Sequence, residues 1–131
     1  MEDLTRIGKL QIYNLREAEA LLVTVKKITL QWHTKNEQVD FRLQRLLMAD
    51  PRRRRYQEEF RENITQWKKK MEGLGVSVNH LWQVKFNVGN GFLCWQFPEL
   101  VLSHFLPAGK AWDEKIKLKD YLESYDPDWA Y

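Results

Sequence analysis

The sequence predicts an α+β fold in which a long antiparallel helical hairpin packs on a three-stranded antiparallel meander. Three observations predict it. Apolar residues repeat at helical spacing over two segments joined by a short link, and the spacing then changes to the period of a strand. Glycine and proline residues separate three strand-like runs. With 131 residues, the chain is expected to be one domain with room for a hydrophobic core.

The first helix is predicted from a heptad stripe that begins after Asn14. Asn14 is a favourable N-cap, and Glu17 stands three residues later, as in a capping box. The stripe covers about 34 residues, or about 50 Å, and ends near Met48. Asn36 within it lowers stability but can fix the register of paired helices. The stripe consists of Leu15, Ala18, Leu22, Val25, Thr29, Trp32, Asn36, Val39, Leu43 and Leu46, and is broadened by Leu21, Ile28 and Leu47.

The second helix is predicted to start at Asp50-Pro51, where a capping residue precedes a proline in the first helical turn. It ends at Gly73 or Gly75. Because only about two residues link the helices, they must fold back on each other as an antiparallel hairpin. The apolar positions of this helix are Tyr56, Phe60, Ile64, Trp67 and Met71.

Residues 76–105 are predicted to form the meander. Apolar and polar residues alternate over 76–87, a nearly continuous apolar run occupies 92–97, and a third strand covers 100–105. Gly89-Asn90-Gly91 and Pro98-Glu99 supply the turns. With Phe86 paired to Phe92 and Phe97 to Leu100, the helix-facing side is Val76, Val78, Trp82, Val84, Phe86, Phe92, Cys94, Val101 and Phe105. The other side is also apolar and has to be covered by the C-terminal tail or by a second subunit; it consists of Leu93, Trp95, Phe97, Leu100 and Leu102.

The predicted domain therefore spans residues 1–131, with the hairpin at 14–72, the meander at 76–105 and a C-terminal extension at 106–131. The extension contains a short predicted helix at Asp113–Leu122 and ends in an acidic, aromatic tail at residues 123–131. Since the second helix is basic, the tail is expected either to pack on that helix, in its own or a partner subunit, or to fray.

Composition excludes several classes of protein. The hydrophobic fraction of 44% and the aromatic fraction of 13% exclude a disordered chain. No apolar stretch approaches the roughly 18 residues of a membrane span, and the first residues do not resemble a signal peptide. Cys94 is the single cysteine, so an internal disulfide is excluded and a reducing compartment fits. We therefore expect a cytoplasmic protein with no cofactor and no membrane partner.

Four stretches carry a resemblance to a known family: residues 13–21, residues 75–81, Leu93-Cys94-Trp95, and Pro98-Glu99-Leu100 followed by His104. Over roughly residues 12–112, the chain resembles a small, uncharacterised prokaryotic domain-of-unknown-function family with an N-terminal helical hairpin and a strand block containing Leu-Cys-Trp. The resemblance implies this architecture and supplies no function.

The chain departs from the family pattern and looks like a divergent member. His80 and Lys85 stand where the family has acids, the Gly-Glu before the proline is missing, and Ser103 replaces a tryptophan. If those acids carry an activity in the family, this chain lacks it.

Histidines and one carboxylate are the candidate metal ligands. A two-histidine, one-carboxylate set could come from His33, His80, His104 and Glu99. The predicted register places His80 on the side of Cys94 and His104 on the side of Leu93, so the two imidazoles point apart, although a one-residue slip would reverse this. Histidines hydrogen-bonded within the packing are therefore favoured, and no metal site is predicted.

No catalytic residue is predicted. Cys94 is a poor candidate nucleophile because apolar neighbours on a central strand raise the pKa of a thiol and hide it. A Ser-His-Asp arrangement is not evident in the sequence. An enzyme whose site is assembled between subunits stays open as a third interpretation.

The most unusual motif places four cations in the first turn of the second helix, where the macrodipole favours anions. Glu58 and Glu59 follow Arg54 and Arg55 by four residues and partly offset this unfavourable placement of positive charge. A triplet of lysines lies about 22 Å further along, and the two groups could follow a phosphate backbone. A solvated hairpin tip and docking of the acidic tail are the alternatives. The possible polyanion-binding residues are Arg52, Arg53, Arg54, Arg55, Lys68, Lys69 and Lys70.

The length of the first helix predicts association. The second helix is long enough to cover only about two-thirds of the first, so part of the apolar stripe is expected to stay uncovered. This uncovered part predicts a homodimer in which hairpins or sheets pair. The function is predicted as a non-catalytic oligomeric protein-interaction or scaffold module. Binding of nucleic acid or another polyanion is the alternative, and no small-molecule ligand is identified.

Overall fold

The computed structural model describes residues 11–131, which form an α+β domain with two long helices packed on an antiparallel sheet. The helices are α1 (Leu15–Gln44), α2 (Arg52–Gly73) and α3 (Leu118–Ser124). The strands are β1 (Ser77–Val78), β2 (Gln83–Asn87), β3 (Gly91–Gln96), β4 (His104–Pro107) and β5 (Ile116–Lys117). Single turns of 3-10 helix occur at Trp112–Glu114 and Asp128–Ala130.

The helical hairpin is confirmed, and its start is capped as predicted. The Asn14 side chain accepts a hydrogen bond from the Glu17 amide, and the Glu17 carboxylate accepts one from the Asn14 amide. Helix α1 ends at Gln44, before the predicted Met48. The predicted contribution of Leu47 to the stripe is wrong, because its side chain lies in the connection and is exposed.

The heptad stripe of α1 is covered within the chain itself. All ten of its members are buried or half-buried, against α2 along the whole hairpin and against the sheet near the start of α1. Asn36 donates to the carbonyl oxygen of Phe60 and accepts from the Asn63 amide, which fixes the register of the two helices. Within residues 11–131, the stripe therefore has no uncovered part of the kind that was predicted. A homodimer would have to form through another surface.

The sheet is a meander of five strands in the order β1-β2-β3-β4-β5, rather than three. Both predicted registers are wrong by one residue, since Phe86 pairs with Leu93 and Cys94 pairs with His104. The first slip follows from a two-residue turn at Gly89-Asn90, closed by the hydrogen bond from the Val88 amide to the Gly91 carbonyl oxygen. Gly89 adopts a φ of 104°, which suits glycine.

A one-residue slip exchanges the two sides of a strand, so the predicted faces of β3 are reversed. Leu93 and Trp95 belong to the core shared with the helices, and Cys94 lies on the opposite side. The two slips cancel at β4, where Phe105 faces the helices as predicted. Val101, predicted to face the helices, lies before β4 and is exposed.

The C-terminal extension packs on its own domain, at the end of the hairpin where α1 begins. The indole of Trp129 stacks on Phe105 and Tyr121, and its Nε1 donates to Asn90 Oδ1 at 2.9 Å. Within one chain, packing of the tail on the basic start of α2 is therefore a wrong prediction, since those arginines lie at the far end of α1, about 45 Å away. Packing on the second helix of a partner subunit stays a prediction. The predicted helix at Asp113–Leu122 is a 3-10 turn, strand β5 and the start of α3.

Aromatic side chains join the hairpin to the sheet. Trp67, from α2, makes an edge contact with Trp82 at 4.9 Å between ring centroids. The His33 ring lies 4.3 Å from Phe97 and 5.3 Å from Trp82. Trp82 has a φ of 64°, a left-handed conformation that is rare for a bulky residue. These contacts support Trp82 in that conformation, because its half-buried ring packs on side chains of both α1 and α2.

Candidate anion-binding surface at the tip of the helical hairpin

The distal part of the hairpin forms an arm that extends beyond the sheet. The core cluster that joins helices and sheet contains no residue between positions 34 and 66. There the two helices bond to each other, as Asn36 does with Asn63. The part of α1 beyond Thr34 is about 15 Å long. We call residues 40–55, which include the connection between the helices, the tip of this arm.

One arginine of the predicted run, Arg53, is structural. Its Nη1 donates to the carbonyl oxygens of Leu43 at 2.9 Å and Leu46 at 3.4 Å. These oxygens belong to the end of α1, where helical carbonyls lack partners and the macrodipole favours a cation. Arg53 thereby holds the connection against α1 and is half-buried.

A second arginine, Arg52, is held by an aspartate. Its Nη2 and Nε bond to Asp50 Oδ2 at 2.7 Å and Oδ1 at 3.1 Å, and the Arg52 amide also donates to Oδ1. These hydrogen bonds lower the pKa of Asp50 to about 2. Pro51, and not the predicted Asp50, is the N-cap residue of α2, but the Asp50 carboxylate accepts from the first amide of the helix and neutralises one cation of the run.

Four arginines of the tip have no acidic partner within 4 Å among residues 11–131: Arg42, Arg45, Arg54 and Arg55. The predicted relief of Arg54 and Arg55 by Glu58 and Glu59 is not formed as ion pairs. Guanidinium groups instead lie beside aromatic rings: Arg55 is 5.4 Å from the Tyr56 centroid, and Arg45 is 5.2 Å from that of Phe41. All four are exposed.

The apex of the tip is apolar. The side chains of Leu47 and Met48 are 81% and 85% exposed, and Phe41 is 60% exposed. Residues 40–55 also contain six arginines and two aspartates. The tip therefore combines exposed arginines with aliphatic side chains that point into solvent.

The structure does not bring the predicted lysines to this surface. Lys68, Lys69 and Lys70 lie near the far end of α2, about 22 Å from the arginines.

Sequence reasoning missed Arg42, Arg45 and Phe41. They come from the last turns of α1, and the fold of the hairpin places them beside the start of α2. The signal was available, because antiparallel helices with a short link bring the end of one next to the start of the other.

The comparison with protein families decides the family of this chain. The model of an uncharacterized conserved protein family, DUF2203, matches residues 11–115. The chain belongs to this family. No curated protein and no solved structure matches the chain.

The DUF2203 match covers the hairpin and most of the sheet. Of the Leu-Cys-Trp block, Leu93 and Trp95 lie in the core and Cys94 lies behind them. Of the two positions that were predicted to depart from the family pattern, His80 is exposed in the turn before β2. Lys85 is on β2, with its Nζ 4.4 Å from the centroid of the Phe92 ring.

The histidines of this DUF2203 member are separate from one another. His33 packs among aromatic rings, and His104 lies on the Cys94 side of the sheet, not the predicted Leu93 side. The Nδ1 atom of His104 is 4.0 Å from Glu99 Oε2 and has no hydrogen-bond partner among the described residues. Within residues 11–131, no group of three or more His, Cys, Asp or Glu side chains is placed to hold a metal ion. No helix in this part of the chain is long and apolar enough to cross a membrane.

Cys94 is expected to be unreactive in the folded protein. Burial raises the pKa of its thiol to about 12, which outweighs the opposite effect of Lys115 and Lys85. The thiolate that attacks disulfide reagents is therefore scarce at neutral pH. We expect labelling by an aromatic disulfide to be slow in buffer and fast in denaturant. Fast labelling of the native protein would contradict this placement.

Proposed function

We propose that this chain is a non-catalytic protein-interaction module that forms a homodimer in the cytoplasm. One observation carries the proposal: an apolar patch on the outer side of α1 and the loop before β4. Its side chains are all more than half exposed, and they are Val23, Leu30, Leu100 and Val101. Single exposed apolar residues are ordinary, whereas a contiguous patch is typical of an interaction site.

The patch is continuous and held in place. Val23, Leu100 and Val101 line one shallow cavity of about 170 Å³ between α1 and the loop. Lys26 Nζ donates to the carbonyl oxygen of Leu100 at 2.9 Å, which fixes the loop against the helix. Leu30 lies one turn beyond Lys26. A patch fixed in this way needs little reordering on association.

Charge around the patch favours a second copy as its partner. Glu19 and Lys27 lie four residues before and after Val23, on the same face of α1. A two-fold axis near Val23 would place Glu19 opposite the partner's Lys27, so the surface is complementary to itself. Ala20, Val23, Lys27 and Leu30 follow a three-four spacing, which suits antiparallel coiled-coil pairing of two α1 helices.

Light scattering after size-exclusion chromatography tests the dimer. The wild-type chain is expected at twice its monomer mass, and Leu100→Asp is expected to weaken the dimer about tenfold or more because it places a charge in the contact. Leu47→Asp is the matched control, since Leu47 is equally exposed but lies on the tip. A monomeric wild-type chain, or equal effects of both variants, would exclude this interface.

Charge exchange tests the antiparallel register separately. Glu19→Lys and Lys27→Glu are each expected to weaken the dimer several-fold, because each creates a like-charged pair across the axis. The double variant restores opposite charges and should recover most of the affinity. Additive losses in the double variant would show that these residues do not face each other.

The cytoplasmic location rests on the single cysteine. Cys94 is a free, buried thiol, and a chain with one unpaired cysteine suits a reducing compartment.

Binding of a polyanion by the tip is the second candidate function. Four arginines that have no acidic partner within residues 11–131 favour it, since exposed cations on a projecting surface attract anionic partners. Measurement of the affinity for a polyanion at increasing salt, with wild type and with Arg54 and Arg55 both replaced by glutamine, tests this candidate. The affinity should fall with salt and with the substitution.

A further inference from the structure

We infer that the tip of the arm binds the surface of a membrane that contains anionic lipids. The inference rests on the tip being the anion-binding site and names its partner. It comes from the combination of two features in one place: exposed arginines without acidic partners in the described part of the chain, and exposed aliphatic side chains.

The arginines supply the attraction to anionic headgroups. Arg42, Arg45, Arg54 and Arg55 are exposed and lack acidic partners among the described residues. Basic residues close to an anionic membrane surface each strengthen binding about fivefold. Guanidinium groups also match the geometry of phosphate oxygens.

The apex provides exposed apolar side chains, which would contribute little to binding a soluble polyanion. Leu47 and Met48 are the two most exposed large apolar side chains among the described residues, and both lie between the ends of the two helices. At a lipid interface, such side chains enter the boundary between headgroups and acyl chains, while flanking cations stay with the phosphates. Aliphatic side chains gain little from a phosphate backbone or from stacking on bases.

The shape of the arm allows the contact. Residues 34–66 extend beyond the sheet as paired helices, so the tip can reach a surface without the sheet approaching it. Arg53 bonds to the carbonyl oxygens of Leu43 and Leu46 and holds the apex in its exposed position. The inference departs from the sequence-based expectation of no membrane partner, which rested on the lack of a spanning stretch.

Vesicle sedimentation with the full chain tests the inference. We expect binding to vesicles that contain phosphatidylglycerol, weak binding to phosphatidylcholine alone, and release by salt. Replacing both Arg54 and Arg55 with glutamine should weaken binding about thirtyfold. The matched control replaces Lys68 and Lys69 with glutamine, which removes the same charge at the other end of α2 and should change binding far less.

The apolar part of the contact is tested by Leu47→Asp, which should weaken vesicle binding about tenfold or more. Ile12→Asp introduces the same charge at an exposed apolar side chain outside both the tip and the proposed dimer patch and is the control. A vesicle affinity that is unchanged by Leu47→Asp, or equally reduced by both variants, would overturn insertion of the apex.

A DNA duplex distinguishes failure of this inference from failure of the anion site itself. If the tip binds duplex in an arginine-dependent way and ignores anionic vesicles, the membrane inference is wrong and the polyanion function stands. If the arginine variant changes the affinity for neither ligand, both proposals are wrong. Circular dichroism of each variant verifies that the helices are intact.

Discussion

Replacing Trp67 with alanine is expected to lower the free energy of unfolding by about 3–5 kcal/mol. Trp67 is fully buried at the junction of α2, α1 and the sheet. Its Nε1 donates to the buried Thr29 hydroxyl at 2.9 Å, and its ring contacts Trp82. The substitution therefore opens a cavity, breaks a buried hydrogen bond and removes the support of a strained residue.

Urea denaturation followed by circular dichroism measures this loss. Trp67→Phe is the graded control, because it keeps a ring in the site but removes the indole donor, and its effect should be clearly smaller. A loss below about 1 kcal/mol for the alanine variant would contradict the placement of Trp67 in the core, since surface substitutions have effects of that size.

The second large effect is expected at Gly91, the first residue of β3. A Cβ at this position would lie 2.5 Å from the carbonyl oxygen of Leu106 and 2.6 Å from Cζ of Phe105. Since the oxygen belongs to the paired strand β4, neither neighbour can withdraw without disturbing the sheet. We expect Gly91→Ala to destabilise the protein by about 3 kcal/mol.

Gly73→Ala is the matched control for Gly91→Ala. Gly73 is the last residue of α2, and a Cβ there would meet no atom within 4 Å. Alanine at this position should be neutral or should stabilise the helix by about 0.5–1 kcal/mol, because it restricts the unfolded chain more than glycine does. Similar urea midpoints for Gly91→Ala and wild type would contradict the register of β3 with β4.

The hairpin could be predicted because its signals are local. Capping by Asn14 and Glu17, the stop at Gly73 and the stripe of α1 each depend on residues within a few turns of one another. The register of the sheet could not be predicted in the same way. Phe86 pairs with Leu93 because the turn at Gly89 has two residues rather than three. The alternating pattern of the sequence is compatible with both turn lengths, so it does not select the register.

The candidate surface was only partly predicted, because it too depends on contacts between residues far apart in the chain. The run of arginines is visible in the sequence, but its members have different roles, and only tertiary contacts reveal them. Arg53 caps α1, Arg52 pairs with Asp50, and Arg54 is left without a partner among the described residues. The exposure of Leu47 depends on where α1 ends, which Arg53 helps to decide from ten residues away.

The class of fold, the two helices and the ten members of the stripe follow from local sequence patterns, because helical periodicity and capping are properties of neighbouring residues. The side of β3 that faces the helices, the place where the acidic tail packs, and the cover of the stripe became evident only from the folded domain. These depend on contacts between residues far apart in the chain, where one residue of register moves a side chain from one face to the other.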